Sequence, residues 1–213
     1  EFARPQQFVV VLDEDAVEPS PVTFGADSCR EPYTTSAVLS ISAMSYGAIS
    51  RPAVRALSSG AREAGIWLNT GEGGLSPYHL EGGCDIVFQI GTAKYGVRDE
   101  KGDLDNDKLR AIAAHPQVRM FEIKLSQGAK PGKGGILPGI KVNAEIAAIR
   151  VIPEGQDSIS PNGHVDVRSV TDLLDMIARV REITGKPTGF KMVVGQLGFF
   201  HELFQEIHRR GLE

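Results

Sequence analysis

The chain has 213 residues, 41% of them apolar and 23% charged, with a formal net charge of −4. That is the balance of an ordinary globular domain with a sizeable core, and it gives no electrostatic reason to expect nucleic acid or an anionic lipid surface as a partner. The longest apolar runs, 8–12 and 37–39, are far too short to cross a bilayer, and residues 1–7 hold no apolar signal segment.

Residues 1–36 read as an irregular N-terminal extension, because Pro5, Pro19, Pro21 and Pro32 keep interrupting any regular pattern. Its one candidate strand is 8–12. From residue 37 onward a strand–helix alternation sets in. Residues 37–42 form a β-rich apolar run, expected to be the first strand of the domain 37–213. Ser50 is placed to cap a helix over 52–64, with Pro52 in its first turn and Gly65 at its end. Strands are expected over 66–69, 85–90, 118–124 and 189–194. Helices are expected over 108–114, 142–150, 170–184 (capped by Ser169) and 199–209. About five βα units follow, which implies a parallel sheet. Strands this short and apolar favour a (β/α)₈ barrel of TIM type, incomplete here because eight units are needed to close one. Cys29 and Cys84 are too few and too far apart for a metal cage or a disulfide framework; free thiols in a reducing cytoplasm are expected.

Glycine gathers in loops that follow the strands, where barrels carry their chemistry. The stretch Ser42-Ala43-Met44-Ser45-Tyr46-Gly47 has small residues that let a flat ligand approach the backbone, or that serve only a tight loop. In Asn69-Thr70-Gly71-Glu72-Gly73-Gly74, the amide and hydroxyl suit a polar ring edge. Glu72 either faces solvent or meets a cation or substrate amine. The third stretch runs from Lys124 through Gln127, Lys130 and Lys133 to Gly139. Its lysines, spaced by glycines, suit a carboxylate or phosphate, or form a solvated basic loop. It is no Walker loop, since no Gly-Lys-Ser/Thr closes it. Gln89 and Lys191 lie inside apolar strands, and a buried lysine requires a partner: a carboxylate or an electron-rich ligand.

Taken together and in order, Ala43-Met44-Ser45-Tyr46-Gly47, Asn69-Thr70-Gly71-Glu72-Gly73-Gly74, Gln127-Gly128-Ala129-Lys130-Pro131-Gly132 and Leu137-Pro138-Gly139 resemble the FMN-binding synthase domain of glutamate synthases, from about Ser42 to Val194. The resemblance implies FMN at the mouth of a (β/α)₈ barrel and reductive amination of 2-oxoglutarate, through 2-iminoglutarate, to L-glutamate. Carried over, Met44, Ser45 and Thr70 line the flavin, and Gln89, Lys124 and Lys191 meet its polar edge. Glu72, Gln127 and Lys130 face the pocket of the 2-oxo acid, with Glu72 and Lys130 in catalytic roles. The chain departs from the family at Lys133, where a Glu is usual, and at Ile136, where a Gln is usual. The family's iron–sulfur cysteines and its later phosphate-gripping segment have no counterpart in this sequence. By itself the chain is therefore expected to hold FMN poorly, to be inactive, and to self-associate or pack against the missing half of a barrel. Two alternatives stay open: a ligand-binding or assembly subunit on the same barrel, and an FMN enzyme for another 2-oxo acid or amine.

Overall fold

The computed structural model describes residues 20–130, 132–195 and 197–212. It opens with a feature that the reading of 1–36 as irregular missed: an antiparallel ribbon of β1 (Val22–Phe24) and β2 (Tyr33–Thr35), in register from Val22↔Thr35 to Phe24↔Tyr33. Phe24 and Tyr33 each meet Trp67 edge-on, with ring centroids 6.5 Å apart. The Tyr33 hydroxyl donates to Asp85 at 2.9 Å. Strands of three residues carry too little alternation to be legible among prolines. The candidate strand 8–12 lies outside the described residues.

Helix α1 (Arg51–Glu63) starts after Ser50 and holds Pro52 in its first turn, where a missing N–H costs nothing. Its buried residues Val54, Ser58 and Ala61 fall at helical spacing on one face. Strand β3 (Leu68–Asn69), the short helix α2 (Pro77–Glu81) and strand β4 (Ile86–Ile90) follow. Helix α3 (Asn106–Ala113) is capped by Asp105, whose carboxylate accepts from the N–H groups of Asp107 and Lys108. Next come β5 (Val118–Lys124), β6 (Ile136–Leu137), a 3₁₀ turn (Gly139–Lys141) and α4 (Ala144–Arg150), capped by Asn143. Strand β7 (Ser158–Ile159) pairs antiparallel with β6. Helix α5 (Val170–Thr184), capped by Ser169, then leads into β8 (Thr188–Lys191) and α6 (Leu197–Arg210).

The main sheet runs β3-β4-β5-β8, and every pairing in it is parallel. The strand expected over 37–42 is corrected: Val38 and Leu39 are 91% and 82% exposed, and only Ile41 bridges β3, in parallel with Leu68. Main-chain bonds carry that contact on to Met44, whose N–H donates to the Asn69 carbonyl at 3.1 Å. The stretch 41–44 thus takes the place of a leading strand. The residues before it have no neighbouring strand to satisfy them among the described residues.

One face of the sheet is sealed by helices. Ile86, Phe88, Ile90, Phe121 and Ile123 pack there with Leu109, Leu173, Val180 and Leu203. Phe88 and Phe121 are fully buried, with ring centroids 5.8 Å apart; truncating either to Ala costs about 3–5 kcal/mol. The opposite face carries Asn69, Gln89, Glu122, Lys124 and, in register beside Lys124, Lys191. This differs from strands apolar on both faces. β4 is buried throughout, whereas in β5 Arg119, Glu122 and Lys124 are half-buried between buried apolar residues. Alternation sends every second side chain of β5 to the polar face.

Candidate active site

The loops after 41–44, β3, β4 and β5 all leave the same, C-terminal, edge of the parallel sheet, which is where α/β folds place ligands. Glu72, on the loop after β3, is joined to two residues of the β5 end. Its carboxylate accepts from Gln127 Nε2 at 2.8 Å to each oxygen and lies 3.4 Å from Lys124 Nζ. Lys124 in turn donates to Gln127 Oε1 at 2.8 Å. The Glu72 and Lys124 side chains are only 16% and 15% exposed, so Glu72 is not the solvated charge that was its alternative reading. A Cβ on Gly135 would run into Glu72 and crowd Gln127, which explains a glycine there: it lets the loop close over the carboxylate.

Beneath this triad, Glu122 Oε1 accepts from Asn69 Nδ2 at 2.9 Å and from Gln89 Nε2 at 2.5 Å. Gln89 is fully buried, and its Oε1 has no partner among the described residues. Thr70 is fully buried too; its hydroxyl donates to the Gly71 carbonyl and accepts from the Gln89 N–H. Thr70 is spent on internal bonds, Gln89 keeps its Oε1 unpaired, and both shape the floor of the site. Towards the other end of the strands lies a cavity of about 500 Å³, lined in part by Phe24, Trp67, Asn69, Met120 and Glu122.

The loop that carries Met44 and Ser45 is held from several sides. Met44 packs against the main core. The Tyr46 hydroxyl donates to Glu145 on α4 at 2.5 Å, and burial followed by that bond pushes its pKa up to about 12. Arg150, at the other end of α4, donates to the Tyr46 carbonyl at 3.4 Å and to Ser158 Oγ at 2.9 Å. Arg150 is 5% exposed and lies 5.2 Å from the Tyr95 ring centroid, yet no carboxylate forms a salt bridge with it among the described residues. Burial pushes its pKa below the usual arginine range, opposed by Tyr95 and Glu72. A buried guanidinium without an acid is an invitation to an anion. The sequence reading passed over Arg150 as the last residue of a helix; its one signal was a cation closing the small apolar run Ile146–Ile149.

Lys191 is half-buried beside Lys124 and makes no side-chain bond among the described residues. Lys130 is exposed on the loop above Gln127, where its N–H donates to the Gln127 carbonyl. Lys124 and Lys191 thus share one face, while Lys130 stands at the rim. A strap over the strand ends completes the enclosure. Thr92 donates to the Pro161 carbonyl at 2.7 Å, buried Lys94 pairs with Asp166 at 2.8 Å, and His164 Nε2 lies 3.0 Å from the Lys124 carbonyl. Burial, with Lys94 nearby, lowers the His164 pKa, so Nε2–H of the neutral ring donates to that carbonyl. Lys94 holds φ +51°, a left-handed backbone that a lysine rarely adopts and that concentrates near functional sites. Among the described residues no cluster of His, Cys, Asp or Glu could hold a metal ion, and no helix is long and apolar enough to cross a membrane.

Residues 5–204 match the family described as the conserved region in glutamate synthase. The chain is 41% identical over 188 residues to the glutamate synthase large subunit-like protein YerD of Bacillus subtilis, covering 88% of this chain and 36% of that protein. It is 40% identical over 147 residues to the archaeal glutamate synthase [NADPH] of Methanocaldococcus jannaschii, covering 68% of this chain and 26% of that protein. A glutamate synthase large subunit-like protein of Rhizobium meliloti is 34% identical over 163 residues, covering 76% of this chain and 34% of that protein. The chain thus spans about a quarter to a third of the length of these relatives. With its family motifs on successive tips of one parallel sheet, the chain belongs to the glutamate synthase family.

Proposed function

We propose that this chain is the first part of a (β/α)₈ barrel that binds FMN and a 2-oxo acid at the strand tips, and that it serves the conversion of 2-oxoglutarate and ammonia, through 2-iminoglutarate, to L-glutamate. The observation that carries this reading is the enclosed Glu72–Lys124–Gln127 triad, set against glycines at the C-terminal edge of the sheet. Bound there and reduced by an electron donor, the flavin would supply the hydride. The residues fit such a group: Gln89 Oε1 is a buried acceptor without a partner among the described residues, and Lys191 is a half-buried cation that makes no side-chain bond among them. Met44, Ser45 and Thr70 shape the cofactor side, and Gln89, Lys124 and Lys191 its polar edge. Arg150, Gln127 and Lys130 orient the carboxylates of the 2-oxo acid. Glu72 accepts hydrogen bonds from ammonium or the substrate nitrogen at its two oxygens.

The sheet requires completion. Among the described residues β8 has β5 as its only neighbour, and Val193, Val194 and Leu197 beyond it are 52%, 71% and 75% exposed. The rest of the barrel, or a second copy, covers that edge. Ile136, 61% exposed in place of the family's Gln, favours one alternative, a different 2-oxo acid. The test is flavin content of the full-length protein, followed by glutamate formation from 2-oxoglutarate, ammonium and a chemical reductant. A flavoprotein that makes glutamate supports the reading. One that accepts only other 2-oxo acids moves it to the alternative, and a full-length protein without flavin refutes it.

A further inference from the structure

We propose that Glu122 is a positioning residue for Glu72, acting through Asn69: its carboxylate turns the Asn69 amide so that Asn69 holds the Gly71 N–H and seats the loop from which Glu72 reaches the site. The inference rests on the reading above of Glu72 as the acceptor for ammonium or the substrate nitrogen.

The chain of contacts starts on the polar face of the sheet. One oxygen of Glu122, on β5, takes Nδ2 of Asn69 from β3 at 2.9 Å and Nε2 of Gln89 from β4 at 2.5 Å. A carboxylate can only accept, so both amides turn their nitrogens towards it and their oxygens away. For Gln89 this leaves Oε1 buried and without a partner among the described residues. For Asn69 it places Oδ1 where the Gly71 N–H donates to it at 2.9 Å. The unpaired Gln89 oxygen shows which group sets the orientation: a buried amide oxygen without a donor is costly, and the carboxylate imposes it.

Gly71 passes the constraint on to Glu72. It holds φ +66°, and a Cβ there would collide with Ser45 Oγ and stand 2.7 Å from Ser45 N, so the turn is packed directly against Ser45. With Ser45 against it and Asn69 bonded to its N–H, the main chain enters Glu72 from a fixed place. The Glu72 side chain then passes between two glycines. A Cβ on Gly91 would stand 2.6 Å from Glu72 Cβ, and one on Gly135 would run into Glu72 Oε1. Beyond them Gln127 and Lys124 meet its carboxylate. A passage bounded by glycine on two sides leaves little room for the backbone of Glu72 to move, and Asn69 ties that backbone to the sheet.

The test compares Glu122→Met with Glu122→Gln in the full-length protein. Methionine is of similar length but offers no oxygen, so the Asn69 amide loses what orients it. Glutamine keeps one oxygen that can accept from both amides. Steady-state rates with a chemical reductant give KM for ammonium and KM for the 2-oxo acid. E122M is expected to raise the ammonium KM at least about tenfold while the KM of the 2-oxo acid moves less than about twofold, and E122Q to restore most of the loss. An unchanged ammonium KM in E122M overturns the assignment. So does a parallel rise of both KM values, the mark of a merely structural role, and so does an E122Q as impaired as E122M. Should E122M not fold, Asn69→Ala removes the link at its other end: it must raise the ammonium KM in the same selective way, and an unchanged value overturns the proposal. A wild type that makes no amino acid from ammonium overturns the preceding section and this inference with it, whereas one that does, with an ammonium KM indifferent to these variants, overturns Glu122 alone.

Discussion

Lys124→Met, read in a cycle with Glu72→Gln, tests whether the triad is an organised charge pair. At 3.4 Å, and with an effective dielectric constant of about 20, the bare attraction is about 5 kcal/mol. Desolvation of two side chains that are 15% and 16% exposed takes back most of it, which leaves a coupling of about 1–3 kcal/mol. Lys124→Met alone strands a mostly buried carboxylate against Gln127. A loss of about 2 kcal/mol lowers Tm by about 4–8 °C in a chain of this size. The double variant, with no charge to strand, should recover part of that loss. Thermal unfolding of the four proteins measures the coupling. Additivity within about 0.3 kcal/mol would mean that the pair is incidental, and the enclosed-site argument would fall with it.

Three further outcomes follow from the same geometry. Lys130→Ala in the full-length protein should weaken 2-oxoglutarate binding at least about tenfold and FMN binding little; calorimetry with each ligand shows which falls. Arg150→Lys should not rescue what Arg150→Ala loses in 2-oxoglutarate affinity, because a lysine cannot serve Ser158, the Tyr46 carbonyl and an anion from one planar group; wild-type affinity in the lysine variant would contradict that. Asp166→Asn should cost about 1–3 kcal/mol at neutral pH. Burial raises the Asp166 pKa, but the hydrogen bond and charge of Lys94 outweigh it and hold the group below the ordinary carboxylate value. A depressed folded value gives stability that is present above the ordinary value and lost as pH falls through the depressed one. The gap between wild type and variant in urea melts should therefore close below about pH 4.

The parts of the fold legible in the sequence are those with strong local signals. Strand 118–124 and helix 170–184 fall on the expected residues, the first through Val118, Met120, Phe121 and Ile123 and the second through Ser169 and a clean helical stripe. Helix 52–64 is displaced by one residue. The ribbons β1–β2 and β6–β7 and the five-residue α2 carry almost no periodicity, and tertiary contacts create them: Trp67 beneath the first, Leu137 in the core beside Ile146 for the second. In the site, composition marked the glycine loops, since glycine is itself the signal. It could not tell a buried Glu72 from a solvated one, because that depends on Gln127 arriving from a loop 55 residues away. Arg150 and Glu122 escaped notice for a related reason. Each looks ordinary within its own element, and only packing shows that an arginine lacks an acid or that a carboxylate gathers two amides.

The most direct measurement is a crystal structure of the full-length protein grown with FMN and 2-oxoglutarate. The account predicts the flavin ring over the strand tips, within hydrogen-bond reach of Lys124, and a substrate carboxylate at Arg150. Either ligand bound at another edge of the sheet, with the Glu72–Lys124–Gln127 triad left untouched, would contradict it.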